Sequence, residues 1–157
     1  MQKITPFLWF DTQAEEAATF YTSVFRDSKI TSVARYGDFD PKRAGQVMTV
    51  AFTLRGEEFV ALNGGPQFQF NESVSFVVNC ETQQEVDEYW DKLTEGGQEI
   101  ACGWLKDRYG LAWQIVPAFV WQALGSGDGA KINRMMTALM TMKKLDLAEL
   151  QRAFDGK

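Results

Sequence analysis

The sequence predicts an α+β fold, with two βαβββ modules in tandem and a C-terminal helical hairpin. Three observations carry this. Short apolar or alternating runs alternate with segments of helical periodicity. The order of these segments occurs twice before Pro117. Beyond Pro117 the patterning is helical only. The expected boundaries are a paired-module domain over 1–117 (modules 1–66 and 67–117) and a helical extension over 118–157.

Lys3 to Trp9 is short and apolar and predicts a buried strand. Thr12 and Glu15 have the spacing of a capping box, which satisfies orphan amides of a first helical turn. Ala14, Ala17, Ala18, Tyr21 and Phe25 follow at helical spacing. Lys29 to Tyr36 and Gln46 to Leu54 alternate and are rich in β-branched residues, so both predict strands around a polar loop, Gly37 to Gly45. Arg55-Gly56-Glu57 predicts a tight hairpin into a strand over Glu58 to Leu62, which Asn63-Gly64-Gly65-Pro66 ends.

The pattern then restarts. Ser73 to Asn79 is a strand, Thr82 and Glu85 form a second capping box, and Val86, Tyr89, Trp90 and Leu93 mark the buried face of a helix that Gly96-Gly97 ends. Glu99 to Leu105 and Ala112 to Val116 are strands joined by the turn Lys106 to Gly110. At an offset of 69, Phe7 falls on Phe76 and Phe20-Tyr21 on Tyr89-Trp90; the capping boxes match at 70 and the final hairpins at 54. After the glycine-rich break Gly125 to Gly129, an amphipathic stripe of Ile132, Met135, Met136, Leu139 and Met140 precedes a third capping box, Asp146 and Glu149, with Leu145 and Leu150 as its hydrophobic staple.

Charge and composition remove whole classes of function. Sixteen basic residues stand against 21 acidic ones, a formal charge of -5, which opposes general nucleic-acid binding. No apolar run approaches the roughly 18 residues of a membrane span, and MQKITPFLWFD has no signal-peptide layout, so a cytoplasmic protein is expected. The chain has no histidine, which removes histidine bases and histidine-containing metal sites. Cys80 and Cys102 make neither a disulfide framework nor a metal cluster.

The segments ITPFLWFD, AEEAATFYTSVF, VMTVAFTLRGEEFVALNGGP, SVSFVVNCETQQEVDEYWDKL and CGWLKDRYGLAWQIVP resemble the PhnB-like branch of the vicinal oxygen chelate superfamily, which includes glyoxalase I, extradiol dioxygenases and bleomycin-resistance proteins. That branch often carries the label 3-demethylubiquinone-9 3-methyltransferase. The resemblance runs from about Ile4 to Pro117 and implies a glyoxalase-like fold, an incomplete barrel around a ligand cavity. In the superfamily's metal enzymes the first and last strands of each module supply His and Glu ligands. Their spacing falls here on Ile4, Ser73, Val60 and Gln114, which do not make a first shell for a divalent cation. A slip of one residue, to Thr5, Val74, Ala61, Trp113 or Ile115, does no better. Gln67 stands where the branch often has a histidine. The methyltransferase label needs a cofactor site, yet the first strand-to-helix joint, Phe10-Asp11-Thr12-Gln13, has no glycine-rich turn.

The expectation is therefore a metal-free, cofactor-free small-molecule binder, working as a homodimer, with the ligand in the concave cavity. By strand parity Trp9 and Trp113 face the module helices with Phe7 and Phe59, and Gln114 points into the cavity among Pro6, Leu8, Ser75 and Val77. Gln67 and Asn63 are candidates for a polar rim, with turn chemistry as the competing role for Asn63. Trp104 is a candidate wall, its face unassigned. Two rivals stand beside this reading: an enzyme using the same cavity on a small metabolite, and a sequestering protein of the bleomycin-resistance type, for which Asp38, Asp40, Glu57 and Glu58 supply acidity.

Overall fold

The computed structural model describes residues 2–157. The chain forms two compact units, one ending at Phe70 and the other running over Asn71–Lys157. Each contains one four-stranded mixed sheet and a helix packed on one face, which is the expected α+β architecture of repeated βαβββ modules.

In the first unit, β1 (Phe7–Phe10) leads through α1 (Ala14–Val24) to β2 (Lys29–Arg35), β3 (Val47–Leu54) and β4 (Glu57–Asn63). The sheet order is β1-β4-β3-β2, with β1 and β4 parallel and the other pairs antiparallel. Arg55 and Gly56 make the β3–β4 turn at φ 50° and 91°, the left-handed pair that a two-residue hairpin needs. Leu8, Phe10, Val50, Phe52, Phe59 and Ala61 are buried on one sheet face against Ala14, Ala17, Ala18 and Tyr21 of α1. Phe52 stacks between Tyr21 and Phe59, with ring centroids 6.2 and 5.5 Å away.

This register reverses the expected parity of the opening strand. Leu8 is 6% exposed beneath α1, whereas Phe7 and Trp9 lie on the opposite face and Phe7 is 59% exposed. The cause is the repeat offset: the strands correspond at 70, so that Phe10 and Cys80, each the last residue of its strand, are equivalent, and Phe7 is not the counterpart of Phe76. Trp9 is held by the segment after β4, donating its indole N–H to the Gly65 carbonyl at 2.9 Å and meeting Phe68 edge-on at 5.0 Å.

The start of α1 also differs from expectation. Its cap residue is Gln13, and Thr12 makes no capping bond; the Ala14 N–H instead donates to Asn63 Oδ1 at 2.8 Å, from the end of the neighbouring β4. A side chain delivered by the sheet has replaced the local capping box.

The second unit runs β5 (Ser75–Cys80), α2 (Gln83–Thr94), β6 (Gln98–Glu99), β7 (Trp104–Lys106) and β8 (Ala112–Pro117), in the order β5-β8-β7-β6. Thr82 caps α2 as expected, accepting from the Glu85 N–H at 3.2 Å, while the Glu85 carboxylate reaches back to the Glu81 N–H at 2.7 Å. Val78, Cys80, Leu105, Trp113 and Ile115 pack against Val86, Tyr89, Trp90 and Leu93 of α2. Trp113 is core, as its parity predicts. The single strand expected over Glu99 to Leu105 is two strands. Cys102 and Gly103 break it at φ 60° and 81°, and their N–H groups donate to the carbonyls of Met142 and Lys143 at 2.8 Å each. Contacts with a distant segment thus create the third strand of the module.

The C-terminal segment holds the expected helical hairpin, α4 (Gly129–Leu139) and α5 (Leu147–Asp155), preceded by a further helix, α3 (Ala118–Leu124). Asp128 and Asp146 cap α4 and α5, accepting from Lys131 and Glu149 N–H groups at 3.1 and 2.8 Å. Met135, Leu139, Leu145 and Leu150 join Val116 and Val120 in one buried cluster. Met140, at 65% exposure, lies outside it. Among the described residues no helix is long and apolar enough to cross a membrane.

Candidate functional site

The face of the second sheet opposite α2 collects three of the six candidate residues. Trp104 on β7 pairs with Gln114 on β8, which pairs in turn with Val77 on β5; the next row is Lys106, Ala112 and Ser75. Because alternate residues share a face, Trp104, Gln114, Val77, Ser75 and Lys106 project together, away from α2. Gln114 donates through Nε2 to Ser75 Oγ at 2.9 Å, which fixes the amide and leaves Oε1 as an acceptor. The sequence left the face of Trp104 open, and the pairing with Gln114 now assigns it.

The chain has five tryptophans. Trp9, Trp90, Trp113 and Trp121 donate their indole N–H groups to Gly65 O, Glu99, Asp107 and Asn79 respectively. Trp104 makes no such bond among the described residues, although it is half-buried. Two features bound the face. At one end, Trp121 of α3 ties to Asn79, and Val116 enters the C-terminal cluster. At the other, Lys106 forms an ion pair with Glu72, whose carboxyl is held below the usual range by the hydrogen bond from Lys106.

The other three candidates lie elsewhere. Leu8 is in the core under α1. Gln67 is on an exposed turn, its amide folded over Gly65. Asn63 spends its side chain on the backbone, accepting from Ala14 and donating to the Val47 carbonyl at 3.1 Å, so the turn role weighed for it becomes a structural tie.

Asn63 nevertheless borders a cavity of about 280 Å³ that lies wholly within the first unit. Asp11, Thr12, Glu15, Tyr36, Arg43, Gln46, Val47 and Gly65 complete its lining. Sequence reasoning passed over these residues. Their one local signal is the Asp40–Arg43 pair, three positions apart, which is an ion pair at 2.7 Å.

The positions that would carry a divalent metal do not fit one. Val60 and Gln114 stand on the sheet faces away from the helices, Ile4 is 87% exposed before β1, and Ser73 precedes β5. An aliphatic, an amide and a hydroxyl group supply no carboxylate, imidazole or thiolate. Among the described residues no group of three or more His, Cys, Asp or Glu is placed to hold a metal ion.

The family model for 3-demethylubiquinone-9 3-methyltransferase matches residues 2–116. The chain belongs to that family. The PhnB protein from Bacillus cereus is 40% identical, with a TM-score of 0.68 over 74% of this chain and 100% of that one. Protein PA1353 from Pseudomonas aeruginosa (20% identity, TM-score 0.61, 74% and 98% covered) shares the fold. So does the fosfomycin resistance protein FosX from Listeria monocytogenes, at 13% identity and a TM-score of 0.58 over 78% and 96%. No curated protein matches the chain. The PhnB-like chain thus shares its fold with these solved structures, and this is the glyoxalase-like fold expected from its sequence. The methyl-donor cofactor that the family's description implies does not fit the joint from β1 to α1. That joint has no glycine, and the first N–H of α1 is already bonded to Asn63.

Proposed function

We propose that this PhnB-like protein binds a small organic molecule, without a metal ion, on the face of the second sheet that carries Trp104 and Gln114. One observation carries the reading. The solvent-accessible indole N–H of Trp104, without an internal partner, stands in register with an amide whose orientation is fixed by Ser75. Together these two offer a donor and an acceptor to one incoming molecule. The matching ligand presents an acceptor to Trp104 and a donor to Gln114 Oε1, and lays an apolar body on Val77 and the indole ring. A cytoplasmic homodimer completes the proposal. The edge strand β2, exposed at all seven positions, is one unpaired edge that a second subunit would cover.

The indole N–H resonances test this directly. Trp104→Phe identifies the Trp104 signal. Titration with cell extract fractionated below the size of proteins should shift that signal ahead of the other indole signals. If every active fraction shifts other indoles and leaves Trp104 unmoved, the proposed face is wrong.

A further inference from the structure

We infer that the first unit carries a second binding site, a polar cavity for a small zwitterion of the amino-acid type. This is independent of the Trp104 face, because every residue lining the cavity lies between Asp11 and Gly65. The cavity opens where the parallel strands β1 and β4 end and α1 begins. At about 280 Å³ it falls at the lower edge of small-molecule pockets, which suits a small metabolite rather than a large one.

Its two charged groupings are built differently. The Asp11 and Glu15 carboxylates, which line the cavity from the start of α1, have no hydrogen-bond or ion-pair partner among the described residues, so both are available to an ammonium group. Arg43 lines the same cavity and is held from two sides. Its Nε donates to Asp40 Oδ2 at 2.8 Å, with Nη2 at 2.7 Å from the same oxygen. Its guanidinium lies 4.1 Å from the centre of the Tyr36 ring. Tyr36 is itself fixed, donating its hydroxyl to the Asn63 carbonyl at 2.6 Å. A guanidinium stacked and ion-paired in this way is restrained before any ligand arrives, its side chain 40% exposed, and Nη1 keeps its donors for a carboxylate. Asn63 already occupies the Ala14 N–H, so recognition of the anion falls to Arg43 rather than to that amide.

The charges also set the class. A purely anionic ligand meets two unpaired carboxylates, and a purely cationic one meets the guanidinium. A molecule carrying both signs satisfies both groupings, and a cavity of about 280 Å³ suits one with both on a short skeleton.

The test is an NMR titration at physiological ionic strength with each proteinogenic amino acid in turn. The tightest binder is then compared with its decarboxylated amine and its N-acetyl derivative. Saturable shifts are expected at the amides of residues 11–15 and 43–47. Both derivatives should bind at least tenfold more weakly. Glu15→Gln and Arg43→Gln should each weaken binding by at least tenfold while retaining the wild-type melting temperature; Asp11→Asn provides a second probe of the anionic grouping if Glu15→Gln is unstable. The inference fails if no amino acid gives a saturable shift, if the derivatives bind as tightly, or if the folded variants bind as wild type. Loss of binding in Gln114→Leu but not in Arg43→Gln would assign the ligand to the second sheet and overturn the cavity site alone.

Discussion

Asn63 illustrates how one side chain decides local structure here. Its amide caps α1 and ties to Val47, and its carbonyl receives the Tyr36 hydroxyl. Asn63→Ala removes both side-chain bonds and should cost about 1–3 kcal/mol in urea denaturation. Asn63→Asp keeps the cap acceptor and loses only the donor, so its loss should be smaller. This role was not legible in the sequence, because capping rules look to adjacent residues and Asn63 is 49 positions from Ala14. Gln114 was legible: strand alternation alone turned it away from the module helix, where the structure places it. Leu8 was not, because a one-residue error in the repeat offset inverts a whole strand. Gln114→Leu should leave the unfolding midpoint near wild type or higher, since a half-buried amide is replaced by an apolar group of similar size. The same variant should weaken ligand binding on the Trp104 face about tenfold or more.

At the scale of elements, the C-terminal helices are joined to α2 by a compact polar knot. Gln83 donates to Asp87 and to the Leu145 carbonyl, both at 3.1 Å, and accepts from the Leu147 N–H at 2.8 Å. Lys144 pairs with Asp87 at 2.8 Å. The Lys144 hydrogen bond, then that of Gln83, holds the Asp87 carboxyl below its usual range, and Asp87 in turn raises Lys144. The sign follows from the direction. Asp87 stabilises the folded state fully above the ordinary aspartate range, and this contribution is lost as pH falls through its depressed folded value. The group is exposed, so the loss is well under 1 kcal/mol. The protection factors of the α5 amides, which correct for the slower intrinsic exchange in acid, should therefore fall modestly as pH drops in the wild type, and Asp87→Asn should abolish that pH dependence. Apolar packing outweighs this knot: Leu150→Ala, at a fully buried site in the cluster, should cost about 2–5 kcal/mol. The Asp146 cap and the burial of Leu145 with Leu150 were readable locally, whereas the Asp146 N–H goes to Met142 Sδ and not to the Glu149 carboxylate that a full capping box would supply. The break at Cys102-Gly103 was not, because the carbonyls that hold it come from Met142 and Lys143.

Across the whole molecule, the repeat was the most legible feature. Two βαβββ modules with hairpin turns at Arg55-Gly56-Glu57 and Lys106 to Gly110 follow from periodicity and turn chemistry, and the strands are found there, the second turn shifted by one residue to 107–111. Function is less legible, since a fold of this kind hosts several chemistries and only the site's own residues discriminate among them. Here those residues are an amide, a hydroxyl, an indole and an ion-paired lysine, which suit recognition by hydrogen bonds and offer no ligand set for a divalent cation. Native mass spectrometry of the protein as purified, alongside Gln114→Leu, is the most direct test of this account. It predicts an organic adduct on the wild-type chain that survives a chelator and is depleted in the variant. An equimolar divalent metal that the chelator removes, together with the adduct, would contradict it.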